Sequence, residues 1–175
     1  MTCRLPTKEE RTKINRALDK WGAFESLKHK RLLIQEVDTK KMVCLVTPGL
    51  EYVMQTMEDP YSAGLAIGEL KKQFFPSIAG ADLFARYGRR RRSKYYIVVN
   101  EKAESLVLYG RDVMGESIVA ASITLDENEM VIILNAMFEA IAIGRTRFAG
   151  KSLFQKGRVT VSTIADAGFY LREEK

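Results

Sequence analysis

Five basic side chains towards the end of the chain have the types and the spacing that bind a polyanion. They are Arg145, Arg147, Lys151, Lys156 and Arg158. No acidic residue occurs between positions 140 and 165. Arg145 and Arg147 continue an alternating apolar run, so they project from one face of a predicted strand, about 6.6 Å apart. That distance is close to the spacing of successive phosphates, and the cluster therefore predicts a surface that binds phosphate groups.

A second basic element is a run of four consecutive arginines in the middle of the chain. Its members are Arg89, Arg90, Arg91 and Arg92. Such a run repels itself and is not expected in a core. It is therefore either a solvated linker or a phosphate-contacting arm between two domains, and both interpretations stay open from the sequence.

The charge balance changes at this arginine run. Residues 1–92 carry 18 Lys and Arg against 11 Asp and Glu, whereas residues 93–175 carry 10 against 11. We therefore predict a first domain at 1–92, with a basic linker at 89–94, and a second domain at 95–175. The net charge of +6 also favours a polyanionic partner.

Other chemistries lack the residues that they require. Cys3 and Cys44 are far apart and form no CxxC pair, which argues against a zinc site or disulfide and fits a reducing cytosol. Cys44 is interpreted as a core residue, and the single histidine, His29, as a surface residue. The sequence contains no glycine-rich cofactor loop, no apolar signal core and no apolar run of ~20 residues. We therefore expect no metal, no cofactor and no membrane span, and a cytoplasmic location.

The first 92 residues are predicted to form an α+β domain with an antiparallel sheet and flanking helices. Thr7 followed by Glu10 matches a capping box, which begins a helix with Trp21 on its apolar face. Two β-branched runs, at 31–37 and 42–46, predict a hairpin joined by a polar turn. The remaining predicted elements are a helix that begins at Thr47-Pro48 and buries Leu50, Val53, Met54 and Met57, strands at 65–70 and ending at 75, and a helix at 78–87.

Two glycines stand out within the strand predicted at 65–70 and just before it. Gly64 and Gly68 weaken a strand, so they predict a bulge or the close approach of another backbone. Their spacing also matches GxxxG, but that motif carries little weight outside a membrane. No Gly-Lys-Ser/Thr follows them, which argues against a phosphate-binding loop.

The second half begins with a predicted strand, helix, tight turn and strand over residues 95–119. Asn100 is the expected helix cap, and Ala103, Leu106 and Val107 share one apolar face of the helix. Further strands are predicted at 118–125, 130–134, 138–148 and 158–164, and residues 168–171 are expected to close a barrel.

These elements and several short motifs resemble a known two-domain family. The second half is similar to a PUA domain, a small β-barrel-like RNA-binding module. The whole order resembles the Nip-seven family of large-ribosomal-subunit biogenesis factors, in which a pre-PUA domain precedes a PUA domain. The matching residues are Tyr61-Ser62-Ala63-Gly64, Gly68-Glu69, Phe75-Pro76-Ser77, Val98-Val99-Asn100-Glu101-Lys102-Ala103, Leu108-Tyr109-Gly110-Arg111-Asp112-Val113 and Asp166-Ala167-Gly168-Phe169-Tyr170-Leu171-Arg172. The match is closer to archaeal members, and the run of four arginines departs from the family.

The resemblance implies both a fold and a function. The fold is an N-terminal α+β domain followed by a C-terminal PUA β-pseudobarrel. The function is non-enzymatic RNA binding in ribosome biogenesis and pre-rRNA processing, with a preference for single-stranded, uridine-rich RNA and contacts to assembly factors or to the RNA-degrading exosome. Family members bind RNA through basic residues near the C-terminal end, a role that the five-residue cluster fits by type and region. Arg111 joins the cluster as a candidate because the turn after the helix lies against RNA in other PUA domains. A eukaryotic member would be nucleolar.

Two other functions stay open from the sequence. An RNA-modifying enzyme with a PUA domain would need a larger catalytic domain than residues 1–92 provide. An accessory subunit or adaptor of an RNA-modifying or RNA-degrading machinery would dock its partner through the first domain. Within the basic region, Phe148 and Phe154 could stack on bases or belong to the core, and Asp112 could pair with Arg111.

Overall fold

The chain forms two compact units, which comprise Met1–Tyr87 and Gly88–Lys175. The structure is a computed structural model that describes residues 2–56, 64–88 and 93–172.

Three groups of residues that the sequence singled out lie outside the described residues. They are the arginine run of Arg89, Arg90, Arg91 and Arg92, the motif Tyr61-Ser62-Ala63, and Met57 of the stripe predicted for the second long helix. Whether the arginine run is a solvated linker or an RNA-contacting arm therefore stays an open prediction.

The first unit is built on a five-stranded antiparallel sheet with the strand order β1-β2-β3-β4-β5. Its elements are β1 (Thr2–Arg4), α1 (Lys8–Lys20), α2 (Phe24–Leu27), β2 (Arg31–Val37), β3 (Lys40–Val46), α3 (Pro48–Thr56), β4 (Leu65–Leu70), β5 (Phe74–Pro76) and α4 (Ile78–Gly88). The predicted hairpin is confirmed, but its turn is only two residues long because Val37 pairs directly with Lys40. The short edge strand β1 has no alternating pattern and was not predicted.

The core of the first unit forms around Trp21, at the C-terminal end of α1. The predicted capping box begins this helix: the Thr7 side chain accepts from the Glu10 backbone N–H, and the Glu10 carboxylate accepts from the Thr7 N–H. Trp21 is 2% exposed and stacks on Phe84 of α4 with ring centroids 5.6 Å apart. Phe74 of β5 packs beside both rings. The sheet and the two helices therefore share one aromatic cluster.

Both interpretations of the glycine pair are confirmed. Val43 pairs with Gly68 and Cys44 with Ala66, so Ile67 is an extra residue that bulges from β4. A β-carbon at Gly68 would overlap the Phe74 ring and the carbonyl oxygen of Phe75. The strand therefore needs a glycine at this position because its neighbour passes too close for a side chain.

Two core predictions for the first unit have different outcomes. Cys44 is 1% exposed, as expected, and burial raises the pKa of its thiol to about 11. The predicted buried stripe of α3 is wrong at Val53, which is 45% exposed, although Leu50 packs against the small cluster around Leu33. Both cysteines carry free thiols.

The second unit is a six-stranded, barrel-like sheet with the order β7-β11-β10-β9-β6-β8. Its elements are β6 (Tyr96–Val99), α5 (Glu101–Leu108), β7 (Val113–Met114), a 3-10 helix (Gly115–Ser117), β8 (Ile118–Ala121), β9 (Met130–Leu134), β10 (Ala140–Thr146), a second 3-10 helix (Gly150–Phe154), β11 (Val159–Asp166) and α6 (Phe169–Arg172). Strands β6 and β9 are parallel, and the other pairs are antiparallel. This architecture confirms the predicted α+β fold with a PUA-like second half.

Several predictions for the second unit need correction. Asn100 caps α5 by accepting from the Ala103 N–H, and Val107 is buried as expected, but Leu106 is 50% exposed. The helix has only eight residues, so its buried stripe is narrow. Residues 168–171 were expected to close the barrel, and residues 169–172 form the short helix α6. No helix among the described residues has the length and apolarity needed to cross a membrane.

Candidate nucleic-acid interface

The five predicted basic residues lie on two neighbouring strands of the second unit and on the segment that connects them. Arg145 belongs to β10, and Arg147 follows directly after this strand. Lys151 lies in the 3-10 helix of the connection, and Lys156 and Arg158 precede β11. Since β10 and β11 are paired in the sheet, the fold keeps these residues on one region of the unit.

Arg145 is a half-buried cation without a carboxylate partner among the described residues. It stands opposite Ser162 in the β10–β11 ladder. One guanidinium nitrogen donates to the carbonyl oxygen of Asn128 over 2.9 Å, which fixes the side chain along the sheet. An arginine has five N–H donors, so most of its donors stay available to an anion.

Arg147 is held in a different way, by the carboxylate of Asp112, for which the sequence suggested Arg111 as the partner. Its Nη2 donates to Asp112 Oδ2 over 2.8 Å, and its Nε donates to Ser162 Oγ over 2.6 Å. The second oxygen of Asp112 accepts from the Thr163 N–H. The suggested local pair of Asp112 with Arg111 is therefore wrong. Asp112 partly neutralises Arg147, which lowers the attraction of that side chain for phosphate.

The other end of the cluster combines exposed cations with an aromatic ring. The Arg158 guanidinium lies over the Phe148 ring, 5.9 Å from its centroid, and the ring is half-buried. Phe154 packs against the core of the unit, so its interpretation as a core residue is confirmed. Lys151 and Lys156 are exposed. An arginine in such a cation–π contact keeps N–H donors that can bind a phosphate.

Two carboxylates that are distant in sequence lie beside the basic cluster, and the sequence analysis did not predict them. The Glu116 carboxylate accepts from the Gly157 N–H and so lies beside the basic connection, although it is 41 residues away in sequence. Asp112 reaches Arg147 in the same way, from the end of the turn that follows α5. The cluster is thus less positive near Arg147 than its sequence suggests.

Arg111 is the sixth predicted contact and precedes Asp112 in the sequence. Its side chain is exposed and has no ion pair within the described parts of the chain. Its carbonyl oxygen accepts from the Thr163 hydroxyl, which fixes its backbone beside β11. Arg111 therefore lies next to the carboxylate that holds Arg147, at the edge of the basic cluster.

Comparison with known proteins identifies the family. Residues 95–175 match the UPF0113 PUA domain, and residues 3–78 match the NIP7/UPF0113 pre-PUA domain. A UPF0113 protein of Archaeoglobus fulgidus is 34% identical over 177 residues, which cover all of this chain and 97% of that protein. The chain belongs to the UPF0113 family. The resemblance to the Nip-seven family, and to its archaeal members, is confirmed.

Solved structures agree with the UPF0113 fold. A conserved PUA domain protein from Thermoplasma acidophilum superimposes with a TM-score of 0.70 at 16% identity, over 97% of each chain. A hypothetical protein from Pyrococcus horikoshii OT3 superimposes with a TM-score of 0.71 at 20% identity, over 98% of each chain. Both matches span the two units, so the likeness concerns the full fold and not the PUA domain alone.

The UPF0113 motif at the end of the chain has a structural role. Arg172 of α6 forms two hydrogen bonds to Asp166, at 3.0 and 2.9 Å, and also donates to the carbonyl oxygen of Leu108. That oxygen is at the C-terminal end of α5, where a helix has unsatisfied acceptors and favours a cation. A β-carbon at Gly168 would overlap the same carbonyl. The motif therefore ties α6 to α5.

Replacing Asp166 with asparagine tests this tie. The Asp166 side chain is 7% exposed, and the amide would lose one of the two charge-assisted bonds to Arg172. We expect the second unit to lose about 1.5 kcal/mol of stability. Amide hydrogen exchange, measured by mass spectrometry on peptides from 101–110 and 159–172, should become faster. The first unit holds the only tryptophan, Trp21, so unchanged Trp21 fluorescence is the internal control. Unchanged exchange in both peptides would contradict the assigned role.

Proposed function

We propose that this protein is a non-enzymatic RNA-binding protein that acts in ribosome biogenesis, in pre-rRNA processing for the large subunit. The observation that carries the proposal is the basic cluster on β10, β11 and their connection within a PUA domain. The proposed RNA contacts are Arg145, Arg147, Lys151, Lys156, Arg158 and Arg111. Arg145, Lys151 and Lys156 have no carboxylate partner among the described residues, so their charge is available to phosphates.

The ligand that fits this surface best is a single RNA strand. The cluster offers a short row of cations and one arginine that lies over the Phe148 ring. Binding of single strands typically combines such cations with a stacking platform for bases. The preference for uridine-rich sequence and the pre-rRNA target rest on the family resemblance, and the proposal includes both.

The salt dependence of RNA affinity tests the phosphate contacts. Without Arg147, which Asp112 partly neutralises, the cluster offers four phosphate contacts. On a single strand, four contacts give a slope of log affinity against log salt of about −2.8. The triple replacement of Arg145, Lys151 and Arg158 by alanine is expected to weaken binding of a uridine-rich RNA about 30-fold, from roughly 0.7 kcal/mol per contact. It should also reduce the slope by about 2.1. Fluorescence anisotropy at several salt concentrations measures both quantities.

A matched variant separates a local contact from a general loss of charge. Alanine at Lys13, Lys40 and Lys102 also removes three positive charges, but from exposed positions outside the cluster. We expect this control to change affinity less than about threefold. Equal losses for both variants, or a slope near zero for the unmodified protein, would contradict the proposed surface.

The non-enzymatic part of the proposal needs its own experiment. Incubation of the protein with RNA and a methyl donor, followed by mass spectrometry of the RNA, should yield no modified nucleotide. A modified product would replace this proposal with an RNA-modifying enzyme.

Proposed protein partners are ribosome-assembly factors or exosome subunits, and the proposed location is the cytoplasm, or the nucleolus in a eukaryote. Crosslinking of the full chain to cellular RNA and proteins, followed by sequencing and mass spectrometry, tests the RNA target and the partners, and imaging of the tagged protein tests the location. Recovery of pre-rRNA with these partners is the expected result, and enrichment of unrelated RNA would contradict it.

A further inference from the structure

The first unit contains a basic groove that no part of the proposed function uses. The groove has a volume of about 390 Å³ and lies between the start of the chain, α1 and the segment before β2. Five basic residues line it, namely Arg11, Lys28, His29, Lys30 and Arg31. The rest of the lining is apolar, with Leu5 53% exposed, and none of the described residues that line it is acidic.

A larger cavity in the same unit shows why the absence of carboxylates matters. That cavity, of about 610 Å³, is lined by five cations, Arg4, Lys13, Lys40, Lys41 and Lys71. Its lining also holds three carboxylates, Glu9, Glu10 and Glu69, which offset part of that charge. Glu10 lies 2.7 Å from Arg4 and 2.9 Å from Lys41, and Glu69 lies 2.9 Å from Lys71. The described lining of the basic groove holds four Lys and Arg side chains and no carboxylate, which gives it a positive potential for an external anion.

The geometry of the groove holds its cations at the surface. Arg11 Nη2 donates to the Lys28 carbonyl oxygen over 3.0 Å, so α1 fixes the turn that follows α2. Lys28 pairs with Glu25 over 2.6 Å, but both side chains are partly exposed, and such pairs exchange readily with other ions. His29 and Lys30 are exposed. The turn thus presents consecutive basic side chains on a fixed backbone.

We propose that this groove binds phosphates of an RNA strand, as a second RNA contact separate from the surface on the second unit. Lysine and arginine side chains supply N–H donors and no acceptors. Phosphate oxygens are acceptors, so they match this lining completely. An acidic protein segment would also bring a backbone N–H at every residue, for which the lysine and arginine side chains of the lining offer no acceptor.

Two sites on one chain strengthen each other when one RNA reaches both, and this part of the inference rests on the proposed function. The first contact holds the rest of the strand near the second site at a high effective concentration. A groove that binds phosphates only weakly can then increase the affinity for long RNA while leaving the affinity for short RNA unchanged. This dependence on RNA length distinguishes the groove from the surface on the second unit.

The test uses the full chain with alanine at both Lys28 and Lys30. For a uridine-rich RNA of about 30 nucleotides, which exceeds one single-strand site, we expect about tenfold weaker binding. The salt slope should fall by about 1.4, the value for two phosphate contacts. For an RNA of about 8 nucleotides, the length of one site, affinity should change less than twofold. The control is alanine at Lys13 and Lys40, which line the larger cavity. It removes two positive charges from the same unit and should leave both affinities within twofold.

The results separate this proposal from the proposed function. One outcome is that the triple alanine variant of Arg145, Lys151 and Arg158 loses binding while Lys28→Ala/Lys30→Ala binds long RNA normally. In that case the groove proposal fails and the proposed function stands. If the unmodified chain binds no RNA, both fail. Equal losses of RNA affinity for Lys28→Ala/Lys30→Ala and for its control would also overturn the groove proposal.

Photo-crosslinking with 4-thiouridine RNA gives a direct readout of the groove. A crosslink within residues 27–32 is expected, and crosslinks confined to the second unit would contradict the proposal. Competition by poly-glutamate equal to that by RNA would assign the groove to acidic protein instead.

Discussion

Replacing Gly80 with alanine is expected to destabilise the first unit by about 3 kcal/mol, although alanine is the better helix former. Gly80 lies in the first turn of α4, where the helix rests directly on the backbone of β4. An added β-carbon would overlap the Ile67 carbonyl oxygen and lie 2.7 Å from its carbon and 2.9 Å from the Ile67 Cα. These are backbone atoms, so the clash cannot be relieved by a rotamer change.

The start of α4 has no freedom to move away from β4. The Ser77 N–H donates to the Ile67 carbonyl over 3.1 Å, and its hydroxyl donates to the Ala66 carbonyl over 2.6 Å. The same hydroxyl accepts from the Gly80 N–H over 2.9 Å and so caps the helix. Shifting the helix to admit a β-carbon would break these bonds, and for this reason we expect a cost near the upper end for overpacking.

Urea denaturation followed by Trp21 fluorescence measures this change within the first unit, because Trp21 is the only tryptophan and stacks on Phe84 of α4. The matched control is Gly49→Ala in α3, where no atom beyond the adjoining residues and the helix's own backbone lies within 4 Å of the added β-carbon. That replacement should stabilise the unit by up to about 1 kcal/mol, since alanine is the better helix former. If both replacements stabilised the unit, the close contact between α4 and β4 would be wrong.

Local sequence patterns predicted most of the elements, since each of these patterns is a short-range physical signal. The capping box at Thr7, the Asn100 cap and the alternating runs of β2 and β3 depend on residues within a few positions of one another. The glycine at 68 also signalled a close backbone contact. Strand ends were less accurate: the strand predicted at 138–148 is β10 at Ala140–Thr146, because pairing with neighbours sets the ends of a strand.

Contacts between distant residues could not be predicted in this way. Asp112 and Arg147 are 35 residues apart, and Arg172 and the Leu108 carbonyl are 64 residues apart. No local pattern encodes such pairs, because they follow from the β7-β11-β10 order of the sheet. The sequence therefore predicted which cations gather on β10 and β11, but not which of them a carboxylate would neutralise. The family motif at 166–172 pointed to an arrangement typical of the family at the end of the chain, but its residue types alone did not reveal the contact between Arg172 and α5.

Replacing Glu10 with glutamine is expected to cost the first unit about 3 kcal/mol near neutral pH. Its side chain is 10% exposed and accepts four hydrogen bonds: two from Arg4, at 2.7 and 2.9 Å, one from Lys41 at 2.9 Å and one from the Thr7 N–H at 2.9 Å. Glutamine keeps one acceptor oxygen but loses the charge. Arg4, which also bonds to Glu36, would then join β1, α1 and β2 less tightly.

The pH dependence of this effect has a definite sign. Hydrogen bonds from Arg4 hold the pKa of Glu10 well below its usual range. The ionised carboxylate therefore stabilises the fold fully above the pKa of an unfolded glutamate, about 4.3, and this contribution is lost as the pH falls through the lower folded value. Trp21 fluorescence in urea, measured for both proteins from pH 7 downwards, should show a difference in free energy of unfolding that shrinks below about pH 4.

The adjacent carboxylate provides the control for this experiment. Glu9 is exposed in the same helical turn, so Glu9→Gln should change stability by less than about 0.5 kcal/mol at every pH. A similar loss for both variants, fading in acid, would show that the interaction of a carboxylate with the helix dipole dominates. A large loss confined to Glu10→Gln, and fading in acid, would instead establish that the buried carboxylate joins the edge strand to the sheet and to the first helix.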